Sequence, residues 1–277
     1  MSVAGREVHT SPTPGPRPAA TVTAPVRGRA HVVLPAYNEA VSLPSLLRRI
    51  AEVGRTERVT AWVVDDGSSD GTGDVVDVAD VAGLDVRVVR HQVNLGLGQA
   101  VQTGLKAALN DADEDDFIVV MDADDTHDPA LITKLGNEIL AGSDVVICSR
   151  FVDGGDDKTA PPFRRMLSRG AAVLFRRVLG LVEVHDFTSG FRAYRVSLLT
   201  RACTHWGERL VEERGFACMV ELLLKLRHCH PVITEVPLEL RYDRKQGPSK
   251  LKLRHTIVQY VRLLARDRLT PAPYREL

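Results

Sequence analysis

The sequence lacks any run of about 20 consecutive apolar residues, the length that a membrane-spanning helix requires. Its N-terminus also lacks the apolar segment of a secretory signal peptide. Residues 1–28 are instead rich in proline, alanine and threonine without hydrophobic periodicity, and we expect them to form a disordered tail. These absences favour a soluble or peripheral protein of the cytoplasm.

Net charge and paired cysteines are also missing. The chain has 36 Lys+Arg and 36 Asp+Glu, which indicates no nucleic-acid partner, and its four cysteines have no Cys-x-x-Cys spacing, which argues against a zinc site or a disulfide framework. Charge is nevertheless uneven along the chain. Residues 111–128 contain many carboxylates and no Lys or Arg, whereas basic residues dominate after Arg241. The first region is suited to a cation and the second to a phosphate.

Short Val- and Ile-rich segments alternate with amphipathic segments, which is typical of parallel α/β architecture with a sheet covered on both faces. The pattern predicts strands at 31–35, 59–64, 86–89, 117–121, 144–148 and 232–240. It predicts helices at 42–53, 75–81, 99–109, 131–140, 161–178, 215–226 and 255–264. The expected fold is therefore a single α/β domain with a mostly parallel central sheet flanked by helices.

Polar motifs of the first half follow predicted strands, where parallel sheets bind their ligands. The acidic segment 65–72 ends the second strand, and Asp122-Ala123-Asp124 follows the strand at 117–121. Two carboxylates two residues apart suit Mg²⁺ or Mn²⁺, which in turn bridge substrate phosphates. Either acidic segment is also compatible with an ordinary turn. Residues 94–98 lack the third glycine of a dinucleotide-binding loop, so we reject a dinucleotide-binding site there.

Seven motifs occur in an order that identifies a family resemblance. Residues 35–39 (Pro-Ala-Tyr-Asn-Glu), 65–72 and 122–124 together resemble the family 2 glycosyltransferases of the GT-A fold. Four later segments resemble the dolichol-phosphate and polyprenyl-phosphate mannosyltransferases of that family: 149–151, 186–193, 235–237 and 244–250. The resemblance implies a Rossmann-like GT-A catalytic domain over 29–254, followed by a basic C-terminal helix and tail over 255–277.

The resemblance also implies a donor site. The nucleoside of the donor would be bound by four residues of the first two motifs: Pro35, Tyr37, Glu39 and Asp66. The loop of Asp122, Ala123 and Asp124 would bind the donor diphosphate, with Asp122 and Asp124 as ligands of the Mg²⁺ or Mn²⁺ ion.

Basic residues complete the implied active site. Arg150 would stand near the donor sugar and phosphates, and Arg244 and Lys250 would close over the diphosphate, so that these three and Asp124 form the catalytic set. In the family an Arg and a Ser one helical turn apart bind the acceptor phosphate. Arg164 and Ser168 have this i, i+4 spacing, which places them on one helix face.

The implied reaction is inverting transfer of mannose from GDP-mannose to a polyprenyl phosphate. Because that acceptor is already anionic, catalysis would depend on positioning and charge neutralisation. The alternative is a family 2 enzyme that glycosylates a soluble small molecule or glycan hydroxyl from a UDP- or GDP-sugar, for which Glu221 or Asp186 would serve as base. A nucleotidyltransferase is disfavoured, because Tyr37-Asn38-Glu39 stands where its basic glycine-rich loop would follow the first strand.

The chain departs from the resemblance at Thr126, where such enzymes often carry Gln. A metal ligand would then be missing or weaker, with water or His127 in its place. No membrane-spanning segment follows the catalytic domain, so we expect at most peripheral contact with the cytoplasmic membrane face, to which the basic C-terminal segment would attach weakly through anionic lipid.

Overall fold

Seven strands form one sheet in the computed structural model, which describes residues 28–78, 81, 83–160, 162–179, 181–244 and 253–269. The strands are β1 (Ala30–Ala36), β2 (Val59–Asp65), β3 (Asp85–Arg90), β4 (Phe117–Val120), β5 (Val145–Ser149), β6 (Arg192–Arg195) and β7 (Ile233–Pro237). Their order across the sheet is β3-β2-β1-β4-β6-β5-β7. Neighbours are parallel except at β6, which runs antiparallel to both β4 and β5.

The described ranges contain eight α-helices: α1 (Leu43–Val53), α2 (Thr72–Val78), α3 (Leu97–Asp111), α4 (Leu131–Leu140), α5 (Pro162–Leu179), α6 (Val196–Trp206), α7 (Cys218–Leu226) and α8 (Leu253–Leu269). Short 3-10 turns occupy 207–209, 227–229 and 242–244. Among the helices in the described part of the chain, none combines the length and apolar character needed to cross a bilayer.

The core lies on both faces of the sheet because successive strand residues point to opposite sides. In β1, Val32 and Leu34 pack with the apolar residues of α1 and α4, whereas Val33 packs with those of α3, α6 and α7. All three side chains are fully buried. The continuous apolar strands of the sequence are thus explained by helices on either side, as expected for a parallel sheet.

The predicted single α/β domain is confirmed, and so is the strand and helix alternation of the first half, with shifted ends. Helix α2 spans Thr72–Val78 rather than 75–81, α7 begins at Cys218 rather than 215, and β7 ends at Pro237 rather than 240. The predicted tail over 1–28 lies outside the described residues except for Gly28, and Lys250 also lies outside them.

Strand β6 and helix α6 were not predicted. The sequence of β6, Arg-Ala-Tyr-Arg, has no apolar run, yet Arg192 is fully buried in the middle of the sheet. Its guanidinium donates to the carbonyl oxygens of Phe187 and Met219, each at 2.7 Å. Carbonyl acceptors from the segment just before β6 and from helix α7 therefore allow a charged residue in a central strand.

Candidate active site

The loops after β1, β2 and β4 meet at one edge of the sheet. Ala36 pairs with Asp65 in the parallel register of β1 and β2, and the Asp66 amide donates to the Ala36 carbonyl at 2.8 Å. On the other side of β1, the Met121 amide donates to the Val33 carbonyl at 3.1 Å. The three donor-site motifs predicted from the sequence are therefore adjacent.

The turn that carries Tyr37 and Glu39 is bound directly to the acidic segment 65–72. The backbone amides of Asn38 and Glu39 donate to the hydroxyls of Ser68 and Thr72, at 3.0 and 2.8 Å. In return, the Ser69 amide donates to the Asn38 side-chain oxygen at 2.9 Å. Asn38 has a φ of 52°, a left-handed conformation that Asn adopts more readily than most residues. The two motifs thus form one rigid double turn.

The predicted nucleoside residues of the first turn, Pro35, Tyr37 and Glu39, differ in their surroundings. Tyr37 is exposed at this double turn, where its ring is accessible to a base. The Glu39 carboxylate accepts a hydrogen bond of 2.6 Å from the Ser42 hydroxyl at the start of α1. Pro35, near the end of β1, is half-buried and holds the entry of the turn.

Asp66 is buried and shapes the neighbouring loop. One carboxylate oxygen accepts from the His91 ring at 2.7 Å and from the Leu95 amide at 2.9 Å, and the other accepts from the Gly96 amide at 2.8 Å. A side chain with both oxygens engaged in this way orders residues 91–96 beside the donor site. Its direct contact with the nucleoside stays a prediction.

The Asp122-Ala123-Asp124 loop leaves the sheet just beyond β4. Asp122 is half-buried and approaches Gly190, where a Cβ atom would lie only 3.2 Å from its Oδ1. Ala123 is buried. Asp124 Oδ1 accepts from the Thr126 hydroxyl at 2.7 Å and from the Thr126 amide at 3.3 Å. The Asp124 carboxylate is therefore held in one orientation by the residue two positions later.

Arg150 follows β5 and is bound to Asp186. Arg150 Nε donates to Asp186 Oδ2 at 2.7 Å, and Nη2 donates to Asp186 Oδ1 at 2.8 Å and to the Thr188 hydroxyl at 2.7 Å. Glu235 accepts from the backbone amides of His185 and Asp186, each at 2.8 Å. The motifs at 149–151, 186–193 and 235–237 are thus joined in one network at the same edge of the sheet.

The predicted acceptor residues lie in the first half of helix α5, as expected. Ser168 is half-buried, and the side chain of Arg164 is outside the described part of the structure. The helix is anchored by buried Asp157, whose Oδ1 accepts from Arg165 Nε at 3.2 Å and from Arg169 Nη2 at 3.0 Å. Loop 151–160 thereby fixes this end of α5.

Arg244 lies in an exposed turn that adjoins the acidic loop. The Arg241 amide donates to the Thr126 carbonyl at 3.1 Å, and the Arg244 amide donates to the Arg241 carbonyl at 3.0 Å. The same segment is tied to loop 151–160 by the Thr159 hydroxyl, which donates to Leu240 and accepts from the Tyr242 amide. The turn that leads into the predicted basic loop is therefore hydrogen-bonded to Thr126, two residues after Asp124.

Comparison with known proteins identifies the family of this arrangement. The family model described as glycosyl transferase family 2 matches residues 31–201, which include every motif from the double turn to the network of Arg150 and Asp186. The chain belongs to this family. It is a glycosyltransferase, as the motif order predicted.

Curated relatives of this glycosyltransferase share about a third of its residues. It is 34% identical to the polyprenol monophosphomannose synthase of Mycolicibacterium smegmatis over 80% of this chain and 81% of the relative. It is also 34% identical to the undecaprenyl-phosphate mannosyltransferase of Micrococcus luteus, over 80% and 87%. The same identity to the dolichol-phosphate mannosyltransferase of Pyrococcus furiosus extends over 86% of this chain but only 63% of that relative.

Solved structures confirm the fold. The glucosyl-3-phosphoglycerate synthase of Mycobacterium tuberculosis, in a complex with Mn²⁺, UDP-glucose and phosphoglyceric acid, superposes with a TM-score of 0.61 at 22% identity, over 89% of this chain and 82% of that chain. A further complex of that enzyme, with Mn²⁺, UDP and phosphoglyceric acid, gives a TM-score of 0.62 at 23% identity, over 89% and 80%. The GT-A-type sheet expected from the motifs is therefore correct.

The two carboxylates considered as bases in this glycosyltransferase both have structural partners. Glu221 is fully buried, accepts from the amides of Glu212 and Glu213 at 2.8 and 2.7 Å, and pairs with Lys225 Nζ at 2.9 Å. Burial raises the pKa of the Asp186 carboxyl, but the Arg150 guanidinium outweighs this effect and holds that pKa below its ordinary value. Both contact sets occupy the carboxylate oxygens that a base would use.

His127 does not complete a preformed metal site. Its buried ring stacks on Phe191 with centroids 5.2 Å apart. Within the described ranges, no three His, Cys, Asp or Glu side chains are grouped so that they could hold an ion. Coordination of an ion by Asp122 and Asp124 stays a prediction. Two carboxylates would suit Mg²⁺, which usually takes one or two protein carboxylates and leaves its other positions to phosphates and water.

Proposed function

We propose that this family 2 glycosyltransferase transfers mannose from GDP-mannose to a polyprenyl phosphate, with inversion at the anomeric carbon. Three curated relatives support the proposal, since each is named as a mannosyl transferase or synthase of a polyprenol, undecaprenyl or dolichol phosphate. The structural observation that carries it is an exposed apolar surface on the two helices next to the predicted phosphate site.

This apolar surface of α5 and α8 consists of Phe163, Met166, Val173, Leu174, Ile257, Val258 and Val261. On α5 these residues recur at helical spacing along one side, while Ala172 and Phe175 on the opposite side are buried in the core. Phe175 packs edge-on against Tyr260 of α8, with ring centroids 5.0 Å apart, so the two helices are neighbours. Exposed large apolar residues grouped on one side of a helix are typical of a binding surface.

An isoprenoid acceptor in a membrane matches this surface. The apolar side chains would lie at the acyl boundary, while the exposed Arg169 and Arg177 of α5 would meet lipid phosphates. Arg164 and Ser168 would bind the acceptor phosphate at the start of the same helix, where Arg supplies two parallel hydrogen bonds. The enzyme would thus act as a peripheral protein at the cytoplasmic membrane face.

The donor half of the site follows from the double turn and the acidic loop. Tyr37, with Pro35, Glu39 and Asp66, would bind the nucleoside, and Asp122 and Asp124 would hold Mg²⁺ or Mn²⁺. The ion, when bound, supplies positive charge to the leaving diphosphate. Arg150, Arg244 and Lys250 would hold the diphosphate and sugar in line with the acceptor. An anionic acceptor oxygen needs no base, which agrees with the engaged state of Glu221 and Asp186.

The direct test is a donor and acceptor panel. Radiolabelled GDP-mannose and UDP-glucose are each offered with undecaprenyl phosphate in vesicles, with undecaprenol as the dephosphorylated control, and product is counted in the organic phase. We expect organic-phase product from GDP-mannose and the phosphate only, and its loss in EDTA. Equal organic-phase product from undecaprenol, or no product from undecaprenyl phosphate, would contradict the lipid-phosphate assignment, and turnover unaffected by EDTA would contradict the metal assignment.

A further inference from the structure

We propose that Arg49 of helix α1 is a positioning residue that holds the acidic loop in its ion-binding form. This inference rests on the proposed metal site at Asp122 and Asp124 but concerns a residue outside every motif considered above. Arg49 is separated from the loop by more than 70 residues in sequence.

The contacts of Arg49 cover the second half of the loop. Nη1 donates to Asp125 Oδ1 at 2.5 Å and to the His127 carbonyl at 3.3 Å, and Nη2 donates to Asp128 Oδ1 at 2.9 Å. One guanidinium thus binds three acceptors within four consecutive residues. The Arg49 side chain is 23% exposed and that of Asp125 13%, so the pair is partly screened from water. A planar guanidinium with several donors makes such contacts possible, and an ammonium does not.

The backbone at Asp125 needs this support. Asp125 has a φ of 59°, a left-handed conformation that is uncommon for residues other than glycine. Such a conformation persists where surrounding contacts enforce it, frequently at functional sites. It turns the chain between Asp124 and Thr126, so that the Thr126 hydroxyl and amide both point back to the Asp124 carboxylate. The ion pair with Arg49 therefore maintains the turn that orients the proposed metal ligand.

Arg49 also divides the four carboxylates of the loop into two classes. Asp125 and Asp128 both form ion pairs with its guanidinium, and Asp124 Oδ1 accepts from the Thr126 hydroxyl. Residues 111–128 contain no Lys or Arg of their own to perform this task. With Arg49 removed, the four negative charges would repel one another, and Asp125 would compete with Asp124 for the cation.

The effect of Arg49 is separable from the stability of the fold. Helix α1 is anchored by Leu43, Leu46, Leu47 and Ile50, all fully buried, and Arg49 is outside this apolar side. Arg48, its exposed neighbour on the same helix, offers a control of the same residue type and charge. Loss of Arg49 should therefore alter the loop while α1 stays packed.

The test compares Arg49→Gln with Arg48→Gln in the full chain. Mn²⁺ affinity is measured by electron paramagnetic resonance in the presence of GDP, and amide hydrogen exchange is followed for a peptide covering residues 121–130. We expect Arg49→Gln to weaken Mn²⁺ binding about tenfold, within the range found for outer partners of metal ligands, and to speed exchange in this peptide. Arg48→Gln should match the parent in both readouts, and Arg49→Lys should fall between them.

Two further variants separate the possible failures. Asp124→Asn should abolish Mn²⁺ binding; if it binds as the parent does, the proposed metal site is wrong, and Arg49 is then judged on hydrogen exchange alone. Asp125→Asn keeps the tolerance for a left-handed backbone but removes the charge. In combination with Arg49→Gln it should add little, because both changes break one interaction. Parental affinity and parental exchange in Arg49→Gln, or faster exchange throughout the protein, would overturn the proposal.

Discussion

Arg150 and Asp186 are joined by two parallel hydrogen bonds, Nε to Oδ2 at 2.7 Å and Nη2 to Oδ1 at 2.8 Å, between the end of β5 and the segment that enters β6. Asp186 is fully buried. Replacing it by Asn would leave the guanidinium without a compensating charge. We expect Asp186→Asn to lower the free energy of unfolding by about 3–5 kcal/mol, as measured by urea denaturation. An unchanged midpoint would show that the pair is dispensable.

The same pair gives a pH dependence with a defined sign. Because the pKa of Asp186 is lower in the folded protein than in the unfolded chain, its contribution to stability is present above the unfolded pKa of about 3.9. The contribution is lost as the pH falls through the folded pKa. The parent should therefore lose stability between neutral pH and this acidic range more steeply than Asp186→Asn does.

Asp124→Asn tests the proposed metal ligand. The amide preserves the size of the side chain and can still accept from Thr126, so the fold should be retained while turnover falls at least about a hundredfold, a loss comparable to that of a single electrostatic group in other active sites. Asp113→Asn, an exposed change far from this edge of the sheet, is the control. Activity close to that of the parent, with an unchanged melting temperature, would remove Asp124 from the metal site.

Thr126 should matter through its hydroxyl. Thr126→Val keeps the shape but loses the 2.7 Å hydrogen bond to Asp124, whereas Thr126→Ser keeps it. We expect the Mn²⁺ concentration for half-maximal activity to rise about tenfold in the Val variant and to stay near the parental value in the Ser variant. A parental value in the Val variant would show that the loop does not require the hydroxyl.

The apolar surface of α5 and α8 should determine the response to vesicles. Phe163 and Met166 are 58% and 64% exposed, and burying such side chains contributes roughly 1.5–3 kcal/mol each when burial is complete. Changing both to Ser should raise the KM for vesicle-borne undecaprenyl phosphate about tenfold or more and leave the KM for GDP-mannose unchanged. Leu140→Ser, an equally drastic change at an exposed position on the other face of the sheet, should leave both constants at parental values.

Glu221→Gln distinguishes a structural carboxylate from a base. The change weakens the bonds to the Glu212 and Glu213 amides and the pair with Lys225, so stability should fall by roughly 1.5–3 kcal/mol while kcat stays within a few fold of the parent. A kcat loss of two orders of magnitude in a folded protein would instead favour a hydroxyl acceptor.

The strands and the position of the motifs could be predicted because both depend on local pattern. Apolar runs such as Val59–Asp65 predict a buried strand in an α/β chain. A polar motif directly after a parallel strand lies at the carboxyl edge of the sheet. The Asp122-Ala123-Asp124 loop was found in this way. The sequence also predicted a cation near this loop, because residues 111–128 are rich in carboxylates and contain no Lys or Arg.

The missed features depend on contacts that the local sequence pattern does not encode. Arg192 is buried in β6 only because carbonyl groups of Phe187 and Met219 converge on it, and the pattern Arg-Ala-Tyr-Arg by itself indicates an exposed segment. Likewise, nothing in helix α1 distinguishes Arg49 from Arg48 until the loop is folded against it. Helix α5 was predicted, but its exposed apolar side could be distinguished from its buried side only once Phe175 was seen to pack against Tyr260.

The antiparallel strand β6 closes a continuous segment of the chain that begins after β4. Between β4 and β6 the chain passes through β5 and α5, and β6 then returns it to β4 in the register of Phe117 with Arg195 and Val120 with Arg192. A chimera that exchanges residues 145–191 between relatives would need to preserve the pairing of β5 with β6 and β7 and the contacts of Glu235 with the amides of His185 and Asp186. With α5 in its proposed acceptor role, such a chimera would change acceptor preference while the loops after β1, β2 and β4 stay constant.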